Sequence, residues 1–254
     1  MGEFTSIELF SPTQRAAPVP GWARRARPWG GTGAARRVAE VAYKLQETKI
    51  LPRRRHTMAD ELRILEHALN ATARDRPIWS DRIARISEAC RRLGASVRQL
   101  DPRPIHRDFY GDQVLIDGAS IYLVDLDLFC LGDPALDIGN FSGHIVEQAL
   151  RENGDADAFQ DRKRAMTERF LELTGDVTHA KAIAGYATLT LARHLYISSR
   201  ITKRRRTTER LVDLCEQRLG LSSGAQPRIA NARGHAYAAR PTRAPDGHGQ
   251  ESPV

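Results

Sequence analysis

The chain has 254 residues, long enough for one large domain or two small ones. Its 41% hydrophobic and 28% charged residues are ordinary for a soluble globular protein, and the start MGEFTSIELF lacks the features of a secretion signal. No apolar run reaches the ~20 residues that span a bilayer, so no membrane role is expected.

The net charge of +8 raises the question of a nucleic-acid partner. The excess, however, sits in separate clusters: Arg24-Arg25-Ala26-Arg27, Arg36-Arg37, Arg53-Arg54-Arg55 and Lys203-Arg204-Arg205-Arg206. These read as solvated faces and anion-binding groups, and nucleic acid is not the expected partner. Cys90, Cys130 and Cys215 are far apart, odd in number and not spaced for zinc. They read as buried small hydrophobes in a reducing compartment, which points to the cytoplasm.

Residues 1–33 carry Pro12, Pro18, Pro20, Pro28 and several glycines, with no periodic apolar pattern outside Ser6–Phe10. An irregular segment is expected there. From Ala34 to about Lys49 the residues Ala35, Val38, Ala39, Ala42 and Leu45 fall at helical spacing, and Pro52 closes that helix. A second helix starts near Thr57, where Thr57-Met58-Ala59-Asp60 suits a capping box. A third runs from Ser80 to Leu93 with Ile83, Ile86, Ala89 and Cys90 on one face.

The pattern then switches to period two. Val114-Leu115-Ile116 and Ile121-Tyr122-Leu123-Val124 flank the turn-rich Asp117-Gly118-Ala119-Ser120, which predicts a hairpin. Asp133 and Pro134 mark the start of the next helix, with Asp133 as its cap. Further helices are expected over 156–174, 178–201 and 205–219. Tyr186–Ala192 is apolar nearly all round and predicts a central buried helix, in which His194 reads as a satisfied core histidine. The domain is thus bounded at 34–221, with a disordered tail over 222–254.

Between His106 and Asp137 the chain reads HRDFYGDQVLIDGASIYLVDLDLFCLGDPALD. Asp108 falls in a loop, Gln113 offers an amide oxygen, and Asp125 ends a short strand. Two oxygen ligands and one free carboxylate suit phosphoryl transfer, which needs positioning and charge neutralisation more than covalent help. A strand-ending acid at a buried edge is costly unless it is used. Asp112 and Asp117 read as turn formers, and Asp127 is left open between a supporting group and a solvated one.

The spacing His106-x-Asp108-x₄-Gln113, then Val124-Asp125-x-Asp127 and Gly132-Asp133-Pro134-x-x-Asp137, resembles the aminoglycoside phosphotransferase and choline kinase group. The likeness covers about residues 35–220. It implies a mainly α protein with a small catalytic β-hairpin, the C-terminal lobe of a protein-kinase-like fold. It also implies ATP and Mg²⁺ as cofactors and a small-molecule hydroxyl as acceptor. By resemblance, Asp108 is the catalytic base or orienter of the acceptor hydroxyl, His106 orients the catalytic loop, Gln113 and Asp125 hold the metal and nucleotide, and Asp137 fixes the loop by receiving backbone N–H groups. Gln113 departs from the family's Asn by one methylene.

A complete kinase of this kind also has an N-terminal lobe covering ATP, with a lysine for its phosphates. Only about 33 residues precede the first helix. Gly30-Gly31-Thr32-Gly33 resembles a phosphate loop only loosely, and Lys44 falls inside a helical pattern. The expectation is a lobe truncated or absent, in a chain that is a truncated kinase, an inactive remnant or a reduced enzyme. The alternative is a non-catalytic helical protein whose arginines engage nucleic acid or an acidic partner. The acceptor and the oligomeric state carry no short signature.

Overall fold

The computed structural model describes residues 31–118 and 120–221, together with the backbone of 7–9 and 24–25. The expected tail, 222–254, lies outside the described residues.

In chain order the elements are β1 (Ile7–Leu9), β2 (Arg24–Arg25), α1 (Gly31–Gln46), α2 (Met58–Asp75), α3 (Ser80–Ser96) and β3 (Arg103–Ile105). There follow β4 (Val114–Asp117), β5 (Ser120–Leu123), β6 (Cys130–Gly132), α4 (Ala135–Asn153), α5 (Gln160–Thr174), α6 (His179–Ser199) and α7 (Arg205–Arg218). The mainly helical architecture with one small hairpin is as the periodicity predicts.

Local chemistry accounts for the helix starts. At α2, Thr57 Oγ1 accepts from Asp60 N at 3.2 Å while Asp60 Oδ2 accepts from Thr57 N at 3.0 Å. The reciprocal pair works with Asp because its shorter side chain still reaches the N-cap amide. At α4, Asp133 Oδ1 accepts from Ala135 N at 2.9 Å. Helix α5 begins later than the sequence pattern suggests, because Asp155 Oδ1 turns the chain by accepting from Asp157 N.

Residues expected to be irregular supply two strands. β1 pairs parallel with β5, and β2 pairs antiparallel with β4, so the hairpin becomes a four-stranded sheet of order β1-β5-β4-β2. The hairpin strands also run one residue further into the turn than expected, with Asp117 opposite Ser120. A second sheet pairs β3 with β6, and Arg55 bridges alongside Leu131.

Helices α4 and α6 form the centre, with α2 and α7 against α6 and α1 against α5. Glycines permit the α4–α6 approach: a Cβ on Gly139 would lie 2.4 Å from Tyr186 Cβ, and one on Gly143 2.7 Å from Thr190 Cβ. Phe109, Phe141 and Phe170 are fully buried, each contributing about 1.5–3 kcal/mol by removal of apolar surface from water. All three cysteines are buried and unpaired, and burial pushes the thiols of Cys90 and Cys130 up to about 12 and about 11. Among the described residues no helix is long and apolar enough to cross a membrane.

Candidate active site

The short strand β3 delivers the chain into a loop whose backbone is gripped from α4. Asp137, on the first turn of that helix and fully buried, accepts from His106 N and Arg107 N at 2.8 Å each. Burial raises the Asp137 carboxyl from its ordinary value, while the charge of His106 and those two amide donors pull the other way. Phe109, with no exposed surface, anchors the next residue by packing on the rings of His106 and Phe141. Asn140, one helical turn beyond Asp137, donates to the Phe109 carbonyl at 3.1 Å. Asp108 is held between these anchors and is half-buried.

The second carboxylate is tied to the first through Val124. The His106 ring nitrogen Nε2 donates to Val124 O at 2.9 Å, and the Gln113 carbonyl accepts from Val124 N at 3.1 Å. Since a carbonyl only accepts, that contact puts a proton on His106 Nε2. Asp125 follows directly, its carboxylate 3.5 Å from the Gln113 side-chain amide.

Asp125 itself is exposed. This corrects the expectation of an acid costly at a buried edge, because the strand ends two residues earlier and the side chain meets water. Backbone strain marks it instead. Asp125 at φ 61° and Arg107 at φ 71° are the two non-glycine residues of left-handed conformation among the described residues. One precedes Asp108 and the other is Asp125, and such strain persists only where its surroundings over-determine it. Asp127 is exposed, and its carbonyl accepts from Arg54.

Other side chains at the site carried no signal of their own in the sequence. Tyr110, between Asp108 and Gln113, stacks on His144 with ring centroids 4.6 Å apart. Its hydroxyl is pushed up by burial and by the charges of Asp108, Asp112 and Asp125, which places it in the field of all three acids. His144 meets His194 edge to face at 4.5 Å. His194 is buried, as expected, but neither ring nitrogen has a partner among the described residues. Desolvation and the nearby arginines lower its pKa to about 3, so it is a neutral imidazole and not a satisfied one. The spacing of Asn140 from Asp137 could have revealed that residue; the ring stack crosses between distant helices and could not be read locally. A separate cavity of about 470 Å³, bordered by Gln46, Arg103, Pro134 and His179, touches the motif only at Pro134 and takes none of Asp108, Gln113, Asp125 and Asp137 into its wall.

The model of the phosphotransferase enzyme family matches residues 26–172, more than half of the chain and the whole segment from His106 to Asp137. The chain belongs to this phosphotransferase family. Solved structures agree on the fold. A choline/ethanolamine kinase family protein from Mesorhizobium loti superposes with a TM-score of 0.58 at 14% identity, over 78% of this chain and 68% of that one. An ethanolamine kinase from Plasmodium vivax gives 0.53 at 12%, over 77% and 62%, and a choline kinase from Cryptosporidium parvum Iowa II gives 0.51 at 11%, over 79% and 68%. The chain therefore spans about two thirds of these relatives' lengths. No curated protein sequence matches it. Within this kinase-like fold Lys44 lies near the end of α1, on a helix and not on a strand.

The donor set beside Val124 suits a hard cation. Asp125 supplies a carboxylate and Gln113 an amide whose oxygen and nitrogen are interchangeable in placement. Among the described residues no three His, Cys, Asp or Glu side chains surround a common point. A Mg²⁺ ion is commonly held by one or two protein oxygens with substrate phosphates and water as the rest, and these residues fit that pattern.

Proposed function

We propose that this protein transfers the γ-phosphoryl group of ATP to a hydroxyl of a small molecule. The observation that carries the reading is the grip on Val124: the loop bearing Asp108 holds both the N–H and the carbonyl of the residue before Asp125. Two acids in separate segments are thereby coupled, and each adjoins or occupies a strained left-handed position. Family membership supports the reaction class.

Asp108 accepts the acceptor's hydroxyl proton. The freed oxygen pair bonds to the γ-phosphorus, and the bond from that phosphorus to the β–γ bridging oxygen breaks, so ADP departs with the electron pair. Asp125 and Gln113 would hold Mg²⁺, which when bound neutralises the phosphate oxygens. His106 and Asp137 act through the backbone. Their hydrogen bonds hold Asp108 in place before substrate arrives, so little ordering remains at the moment of reaction.

The non-catalytic alternative rests on the arginine clusters, and several of their members are engaged within the chain. Arg36 reaches Glu172 and Arg204 reaches Glu147, while Arg37 donates to the Gly118 carbonyl and Arg54 to that of Asp127.

The test measures ADP release by the purified protein with ATP, Mg²⁺ and a panel of sugars, amino-alcohols, choline-like amines and aminoglycosides. Release should rise with an acceptor and fall about 10²–10⁴-fold in Asp108→Asn. Asp125→Asn should abolish the response to Mg²⁺. Equal release from the wild type and both variants sinks the reading. Nucleic-acid binding that weakens steeply with salt, with Asp108→Asn silent, would install the alternative.

A further inference from the structure

Asp108 and Asp125 lie in different segments, and one polar circuit joins the residues that follow each. Beside Asp108, the Phe109 carbonyl accepts from Asn140 Nδ2. Asn140 Oδ1 accepts in turn from Thr190 Oγ1 at 3.1 Å and from Arg193 Nη2 at 2.7 Å. Two donors on that oxygen decide which way the amide faces, so its N–H points at the loop. Arg193 Nη1 donates to Glu61 Oε1 at 3.2 Å, and Glu61 Oε2 lies 2.9 Å from His56 Nε2. From there the backbone continues: His56 N donates to Leu131 O at 2.8 Å and Leu131 N to Arg54 O at 2.9 Å. Arg54 Nη1 closes the circuit on the carbonyl of Asp127, two residues past Asp125, at 3.1 Å.

Glu61 and Arg193 stand at the centre of this circuit, their side chains 6% and 18% exposed. Burial alone would raise the Glu61 carboxyl. The hydrogen bond from His56 and the charges of Arg193, His56 and Arg107 nevertheless hold it below its ordinary value, so the pair is ionic. Stability does not account for charge at this place, because a well-packed apolar pair of similar volume is commonly as stable as a buried ion pair. An ionic pair adds direction: the planar guanidinium holds two acceptors at a set angle, one on α2 and one on α4.

We propose that Glu61 and Arg193 are positioning residues which set the spacing between Asp108 and Asp125. The inference rests on the phosphotransferase reading for its consequence and on the circuit for its geometry. Neither residue reaches the reacting atoms. Glu61 acts through His56 on the segment after Asp125, and Arg193 acts through Asn140 on the segment after Asp108.

The test replaces the pair by an apolar one, Glu61→Met with Arg193→Met, beside the conservative Arg193→Lys, which keeps the charge and loses the fork. Expected for both is a melting temperature near that of the wild type, with kcat down about 10- to 100-fold and KM for ATP little changed. Full kcat in a folded double variant overturns the proposal, as does full kcat in Arg193→Lys. Hydrogen exchange of the amides over 106–113 and 125–131 gives a readout independent of turnover. Exchange should quicken in both segments together in Arg193→Lys while α3 is unaffected. If neither segment responds, or only one, the positioning role fails. If both respond while Asp108→Asn leaves ADP release unchanged, the circuit stands and the phosphotransferase reading is the part that fails.

Discussion

Around Val124 the chain is held by polar groups: one buried carboxylate receives two amides, an imidazole takes a carbonyl, and a backbone carbonyl takes the remaining N–H. Where α4 crosses α6 the chain is held by contact, with Gly139 against Tyr186 and Gly143 against Thr190. Hydrogen bonds are directional and fix angles; close packing is not directional and fixes distance. The first region keeps two non-glycine residues in left-handed conformation, and the second provides the rigid body against which that strain is maintained. Asn140 belongs to both, lying on α4 between the two glycines with its amide turned to the loop.

This contrast can be broken from either side. The largest effect should come from Asp137→Ala, which leaves the amides of His106 and Arg107 buried without an acceptor. At about 1–3 kcal/mol for each orphaned group, unfolding in urea should show a loss of about 2–6 kcal/mol, and turnover should vanish even in the folded fraction. Gly143→Val should cost about 1–3 kcal/mol by overpacking against Thr190. Its remaining folded molecules should keep most of their kcat, because the hydrogen bonds of Asp137 and His106 to the loop do not pass through Thr190; a loss of kcat larger than the loss of folded protein would show that distance matters as much as angle.

A third effect is read through pH. The folded pKa of His194 is lowered to about 3 from 6.5, chiefly by burial and next by Arg193. Below pH 6.5 the unfolded chain takes a proton that the folded one refuses. Stability is therefore complete above 6.5 and falls as the pH drops from there toward 3, by about 1.4 kcal/mol per unit. His144, lowered for the same reason, adds with the same sign. Melting curves between pH 7 and pH 4 should show a shallower acid slope in His194→Phe than in the wild type. The smallest effect belongs to the outer surface: Arg92→Ala removes an exposed pair with Glu88 and should change stability by no more than about 0.5 kcal/mol.

Much of the helical body was legible beforehand. Ala35, Val38, Ala39, Ala42 and Leu45 are buried along α1 as their spacing predicts, and Thr57 with Asp60 forms the capping box that the tetrapeptide suggests. These features depend on residues three or four apart, and such neighbours meet in any helix. The pairing of the two added strands was not legible. β1 falls within Ser6–Phe10, the one stretch before Ala34 with an apolar pattern, and β2 has only two residues, but each is defined by a partner about ninety or more residues away. The unpartnered state of His194 was hidden for a related reason: its neighbours come from α4 and from arginines elsewhere in the chain.

The sequence alone determined the periodic helices, the hairpin and the order of Asp108, Gln113, Asp125 and Asp137, because backbone propensity and side-chain spacing act over a few residues. Tertiary structure alone decided that Val124 is held at both ends, that Asp125 is strained but exposed, and that Asn140, Arg193 and Glu61 link the two acidic segments. Those contacts join residues from position 54 to position 193. Only the closure of long loops, made possible by the close approach of α4 and α6, brings such residues within hydrogen-bonding distance.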